Sequence, residues 1–187
     1  MMDTAAIREL LINKGAMKRG HFYRLSGRHT DWYVQCARLF EDHETGQTVG
    51  RELAERCREY EPDVVLAAAI GGVLPGWEVA RALNKPLFYC EKRDGALILR
   101  RGFELTPGTR VLLVEDEVST GQSIREMTEI VRALQGTVVA IGCLVDKSGG
   151  DAPAEAPLIP LVQLTANYYP PGHCPLCEAG QPLENLR

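Results

Sequence analysis

The run Val111-Leu-Leu-Val-Glu-Asp-Glu-Val-Ser-Thr-Gly-Gln-Ser123 decides how this chain is read. Its apolar start makes a buried strand, and that strand delivers Glu115 and Asp116 to the carboxyl edge of a sheet. The segment Val118, Ser119, Thr120, Gly121, Gln122 and Ser123 then forms a turn of small hydroxyl residues. It opens a helix in which Ile124, Met127, Val131 and Leu134 recur at helical spacing. Free backbone N–H groups at a helix start, ringed by the hydroxyls of Ser119, Thr120 and Ser123, make a cradle for phosphate. Carboxylates beside a cradle repel phosphate, so they serve another part of the same ligand. Ionised acids only accept hydrogen bonds, and sugar hydroxyls are matching donors. A helix cap needs one such residue and leaves two adjacent acids on a strand end unexplained.

Outward from this run the pattern alternates. A helix is expected over residues 3–14, then two short extended pieces joined by a turn at Ser26-Gly27, then a helix at about 45–60. Asp63–Ala68 reads as a strand, followed by Gly71-Gly72 and a helix to about Leu83. Pro86–Cys90 is another strand with a polar loop after it, Val138–Val145 a further one, and Leu158–Leu164 a last one. Apolar strands separated by helices imply an α/β fold with a mainly parallel central sheet covered on both faces. Ligands collect at the carboxyl ends of such strands, so the loops after residues 68, 90, 114 and 145 are where a site is expected. The tail from Asn167 to Arg187, rich in Pro and Gly, reads as irregular.

With 187 residues, 45% of them hydrophobic and 25% charged, the chain is expected to form a single domain. An N-terminal region (1–40), a core (41–165) and the tail (166–187) are expected. A net charge of −4 argues against a general nucleic-acid binder. No apolar stretch is long enough for a signal peptide or a membrane span. Six dispersed cysteines fit a reducing cytoplasm. Cys174-x-x-Cys177, beside His173, supplies half of a zinc site, and no second cysteine pair exists to complete it.

The acids and the Val-Ser-Thr-Gly-x-Ser turn resemble the binding motif of type I phosphoribosyltransferases. That resemblance implies the family's fold with a small N-terminal hood, with Glu115 and Asp116 on the ribose hydroxyls and residues 118–123 around the 5-phosphate. Beyond the motif, nearly the whole chain is similar to orotate phosphoribosyltransferases. Gly20-His-Phe22 and Leu25 to Val34 resemble the hood over the base, implicating Arg28 and Tyr33. Ala69-Ile-Gly-Gly-Val73 looks like a pyrophosphate loop, implicating Ile70, Gly71 and Gly72. Residues 93–104 resemble a mobile catalytic loop, in which Lys92, Arg93, Arg100 and Arg101 are the basic candidates. Lys147 stands where an Arg commonly meets the orotate carboxylate, Gly71 where many relatives have Lys, and Glu117 where an apolar residue is usual.

What the resemblance implies is transfer of ribose 5-phosphate from phosphoribosyl pyrophosphate to orotate, with Mg2+ held through substrate oxygens and no direct side-chain ligand. It also implies a homodimer in which loop 92–103 completes the neighbouring site. The alternatives are a transferase for another nucleobase and a non-catalytic sensor of phosphoribosyl pyrophosphate.

Overall fold

The computed structural model describes residues 1–24, 26–150, 155–170 and 172–185. Leu25 of the hood stretch, and Pro171, Leu186 and Arg187 of the tail, lie outside the described residues. In chain order the elements are α1 (Thr4–Asn13), β1 (Met17–Tyr23), β2 (His29–Val34), α2 (His43–Cys57), β3 (Val64–Ala68), α3 (Val73–Leu83), β4 (Leu87–Arg93) and β5 (Ala96–Leu99). They continue with β6 (Arg110–Val118), α4 (Gln122–Ala133), β7 (Thr137–Asp146), β8 (Leu158–Gln163), β9 (Tyr168–Tyr169), α5 (Pro175–Glu178) and β10 (Glu184–Asn185).

The larger sheet has the order β5-β4-β3-β6-β7-β8, parallel throughout except for β5, which returns antiparallel on β4. Alternation along its strands builds two cores. Val65, Leu112, Val114 and Leu144 face a layer holding α1, α2 and α3, including Leu11, Leu53 and Val79. Leu66, Leu113, Ile141 and Cys143 face α4 through Ile124, Met127 and Val131. Helix starts follow local chemistry: Asp3 accepts from the Ala6 amide at 2.7 Å and Asp42 from the Thr45 amide at 2.8 Å. No helix of the described residues is long and apolar enough to cross a membrane.

A second sheet, β10-β1-β2-β9, forms the hood. Its centre is the hairpin expected around Ser26-Gly27, and its outer strands come from the C-terminal tail. This corrects the expectation of an irregular tail. Asn167 donates to the buried Asp31 from its backbone and its side-chain amide, at 2.8 and 2.7 Å, and Lys18 pairs with Glu184 at 2.7 Å. Two further expectations change. Residues 93–104 are not a plain loop, because β4 and β5 form a hairpin through Asp94-Gly95, whose φ values of 50° and 90° are those of a tight primed turn. Strand β6 also runs on through the acids to Val118, paired with β7 as far as Asp146.

Candidate active site

Strand β3 stops at Ala68, while β6 continues past it, so Glu115 and Asp116 project beyond the last β3 pairing, Ala67 with Val114. Successive strand residues point to opposite faces. Glu115 therefore lies on the α4 side, in a cavity of about 160 Å³ lined also by Glu117 and residues 118–124. Asp116 lies on the α3 side, against the Ala69–Val73 loop, where a Cβ built on Gly71 would lie 2.5 Å from Asp116 Oδ2. Gly72 is equally constrained: its Cβ would meet the carbonyl oxygens of Ala68 and Val114, both at 2.9 Å. The two acids thus bracket the strand end instead of sharing one face.

The turn after β6 has the form its sequence implies. Gly121 adopts φ 71°, a left-handed conformation that costs glycine little, and α4 starts directly after it. Ser119 and Thr120 are exposed at the cavity mouth and Ser123 is half-buried on its wall. Gln122 turns aside and donates to Glu126 at 2.7 Å. Burial, followed by the charge of Asp116, pushes the Glu115 carboxyl up to about 8, against a smaller opposing effect of the Ser123 hydroxyl. Asp116 is also raised, chiefly by burial, although its Oδ1 accepts from the Glu117 amide at 2.9 Å.

A second cavity of about 290 Å³ opens under the hood, lined by Phe22, Arg24, Thr30, Trp32, Tyr33, Glu117 and Lys147 among others. Of the residues singled out in the sequence, Tyr33 and Lys147 both line this cavity. Arg28 is not on this wall: it is exposed, and its carbonyl accepts from the Arg24 amide at 2.9 Å across the hairpin turn. Arg24, which sequence reasoning missed, takes the lining position, and its guanidinium also lies 5.3 Å from the Tyr168 ring centre. Lys147 is buried and donates to Glu117 Oε2 at 2.7 Å. Glu117 lines both cavities, so they lie side by side.

The basic candidates divide. Lys92 and Arg93 are exposed on the hairpin, with Arg93 3.6 Å from Asp94. Arg100 and Arg101 both turn to Glu91, at 3.6 and 2.6 Å. Ile70, at the tip of the glycine loop, is 90% exposed.

A phosphate-sized turn beside strand-end acids, on a parallel sheet under a separate hood, is the layout of one enzyme class. Residues 37–166 match the phosphoribosyl transferase domain, and the chain belongs to that family. It is similar along almost its whole length to orotate phosphoribosyltransferases. The Thermotoga maritima protein is 42% identical over 178 residues, covering 95% of each chain. That of Caldanaerobacter subterraneus subsp. tengcongensis is 40% identical, covering 97% of this chain and 96% of its own. Among solved structures, orotate phosphoribosyltransferase from Aeropyrum pernix superposes with a TM-score of 0.72 at 28% identity, over 84% of this chain and 93% of the other. An adenine phosphoribosyltransferase from Thermoanaerobacter pseudethanolicus shares the fold alone, with a TM-score of 0.64 at 20% identity over 71% of this chain and 88% of that one.

Proposed function

We propose that this chain is an orotate phosphoribosyltransferase. A ring nitrogen of orotate forms a bond to the anomeric carbon of phosphoribosyl pyrophosphate as the bond to the pyrophosphate oxygen breaks. The bonding electrons leave with pyrophosphate, the ring N–H proton is released, and orotidine 5-monophosphate results. The observation that carries this reading is the pair of neighbouring cavities that share Glu117, one walled by the 118–123 turn and the other by hood aromatics. A sugar phosphate seated in the first presents its anomeric carbon toward a planar base in the second.

In this reading residues 118–123 hold the 5-phosphate, Glu115 and Asp116 orient the ribose through hydrogen bonds to its hydroxyls, and the charge of Asp116 favours positive charge at the anomeric centre. The amides of Ile70 and Gly71 approach the pyrophosphate, while Gly72, whose own amide donates to the Ala68 carbonyl at 3.0 Å, lets the loop turn tightly against the strand ends. Tyr33 and Arg24 face the base, and Lys147 meets its carboxylate. Arg100 and Arg101 exchange Glu91 for the leaving group when the hairpin closes, with Lys92 and Arg93 beside them, and closure excludes water. Mg2+ would be held by substrate oxygens and waters, where it would neutralise the diphosphate.

The same reading places the enzyme in the cytoplasm as a homodimer. Leu74 and Trp77, one turn apart on α3 and 50% and 58% exposed, offer an apolar surface for a second copy. The experiment is pyrophosphate release with phosphoribosyl pyrophosphate and Mg2+ across a panel of orotate, uracil, adenine, guanine and hypoxanthine. Turnover with orotate far above the others is expected. Turnover with another base alone would move the specificity, and none with any base would favour a non-catalytic sensor.

A further inference from the structure

The half-site at Cys174 and Cys177 acquires two more ligands from the opposite end of the chain. His21 on β1 and His29 on β2 bring Nε2 and Nδ1 to the two thiols, so that the four atoms all lie within 4.8 Å of one another. Individual separations are 2.9 Å between His21 Nε2 and His29 Nδ1, 3.4 Å from His21 Nε2 to Cys174 Sγ, and 3.6 Å from His21 Nε2 to Cys177 Sγ. His29 Nδ1 lies 3.3 Å from Cys177 Sγ. A tetrahedral zinc with bonds of about 2.0–2.1 Å to nitrogen and about 2.3 Å to sulfur sets its ligand atoms roughly 3.3–3.8 Å apart. His173, the histidine adjacent in sequence, is not in the cluster.

Hydrogen bonding alone does not account for this convergence. His21 Nδ1 lies 2.9 Å from the carbonyl oxygen of Gln181, which can only accept, so the proton sits on Nδ1 and Nε2 carries a lone pair. That lone pair faces His29 Nδ1 and both thiols at once, and it takes one donor well. Lone pairs and sulfurs gathered on a common point are what a cation organises. The Gln181 carbonyl is the outer partner that orients a metal-bound imidazole. His21 and Cys174 are 1% and 2% exposed and His29 is half-buried, while Cys177 is exposed and closes the cluster on its solvent side.

We propose that His21 Nε2, His29 Nδ1, Cys174 Sγ and Cys177 Sγ bind a structural zinc ion that fastens the C-terminal tail to the hood. Two thiolates and two imidazoles in a tetrahedral arrangement select zinc among common divalent metals. The strands that the tail contributes, β9 and β10, are two residues each, too short to hold it by themselves. The clamp joins segments some 150 positions apart, so it closes a long loop and constrains the unfolded chain strongly. Its histidines lie on the strands that carry Phe22, Thr30, Trp32 and Tyr33 into the hood cavity, which ties the metal to the shape of that cavity.

The test uses the full chain, prepared without a polyhistidine tag and under reducing conditions. Elemental analysis should find a single zinc ion per chain. Exchange with Co2+ should give thiolate-to-cobalt charge-transfer absorption and the visible bands of a tetrahedral ion. Both signals should vanish in the Cys174→Ser/Cys177→Ser double variant and survive in His173→Ala. Wild-type protein that carries no zinc and shows no such spectrum with Co2+ overturns the proposal, whether or not any variant folds. Zinc retained at full stoichiometry by the double cysteine variant overturns it as well.

Discussion

Gly71 stands so close to Asp116 that a Cβ added to it would lie 2.5 Å from Oδ2 and 2.7 Å from Oδ1. The glycine loop and the strand-end acid are therefore one unit: the missing side chain sets where the carboxylate sits. Gly71→Ala should push Asp116 off the ribose and cut kcat/KM by tenfold or more, toward the ~10²-fold that a displacement of 1 Å can cost. Asp116→Asn should lose roughly ten- to a hundredfold through weakened charge-assisted hydrogen bonds. Gly71 is exposed, so the thermal midpoint of the alanine variant should stay near wild type. Steady-state kinetics and a melting curve check both points, and unchanged kinetics would detach the loop from the acid.

Glu115 gives stability a pH dependence of definite sign. Its folded-state pKa of about 8 stands above the ordinary 4.5. Between those values the folded protein holds the proton more firmly than the unfolded chain. The stabilisation is fully present below about 4.5 and is lost as pH rises through about 8. Glu115→Gln cannot ionise, so its advantage over wild type should grow from about pH 5 to about pH 9, on the order of a few kcal/mol. Urea denaturation at both ends of that range decides it. Parallel stability profiles would mean that Glu115 is not the titrating group.

What could be read from sequence and what could not separate along physical lines. The β3, β7 and β8 strands and the α4 helix are written in local apolar periodicity, and the structure follows them closely. Glu115-Asp-Glu117 reads as polar loop, yet pairing with β7 extends β6 through it, a long-range cause with no local pattern. Asp94-Gly95 is a hairpin signal, masked here by the density of basic residues around it. Arg24 and Arg28 flank the same turn, and strand pairing decides which faces the cavity. The tail strands and the partners of Cys174 depend on residues near the other terminus, where no spacing rule reaches.

The ion pair between Lys147 and Glu117, 2.7 Å long, bears on base recognition. A lysine held by a neighbouring acid must exchange it for the orotate carboxylate, and it offers a point charge in place of a bidentate fork. Lys147→Ala should raise the KM for orotate roughly ten- to a hundredfold and leave that for phosphoribosyl pyrophosphate nearly unchanged. Glu117→Gln should release the lysine and lower the orotate KM severalfold. Equal losses for both substrates in Lys147→Ala would make the lysine a support for the site and not a contact to the base.

Arg100 and Arg101 present the last case. Both are exposed and both are held by Glu91 of their own hairpin, which packs beside α4 through the bond from the Leu97 amide to Glu126 at 2.8 Å. If the hairpin serves a neighbouring subunit, a two-fold dimer contains two composite sites, each joining one chain's phosphate turn to the other chain's arginines. A protein with Arg100→Ala and Arg101→Ala, and another with Asp116→Asn, should each be nearly inactive. After mixing and subunit exchange, about half of the dimers carry one chain of each kind, and each such dimer holds one site free of both lesions. Activity should therefore return to about a quarter of the wild-type level under two-fold pairing statistics. Exchange itself is followed by mass spectrometry of differently labelled chains. If mixed dimers form and activity stays at the level of the parents, the arginines act within their own chain, and Glu91 releases them toward that chain's own pyrophosphate.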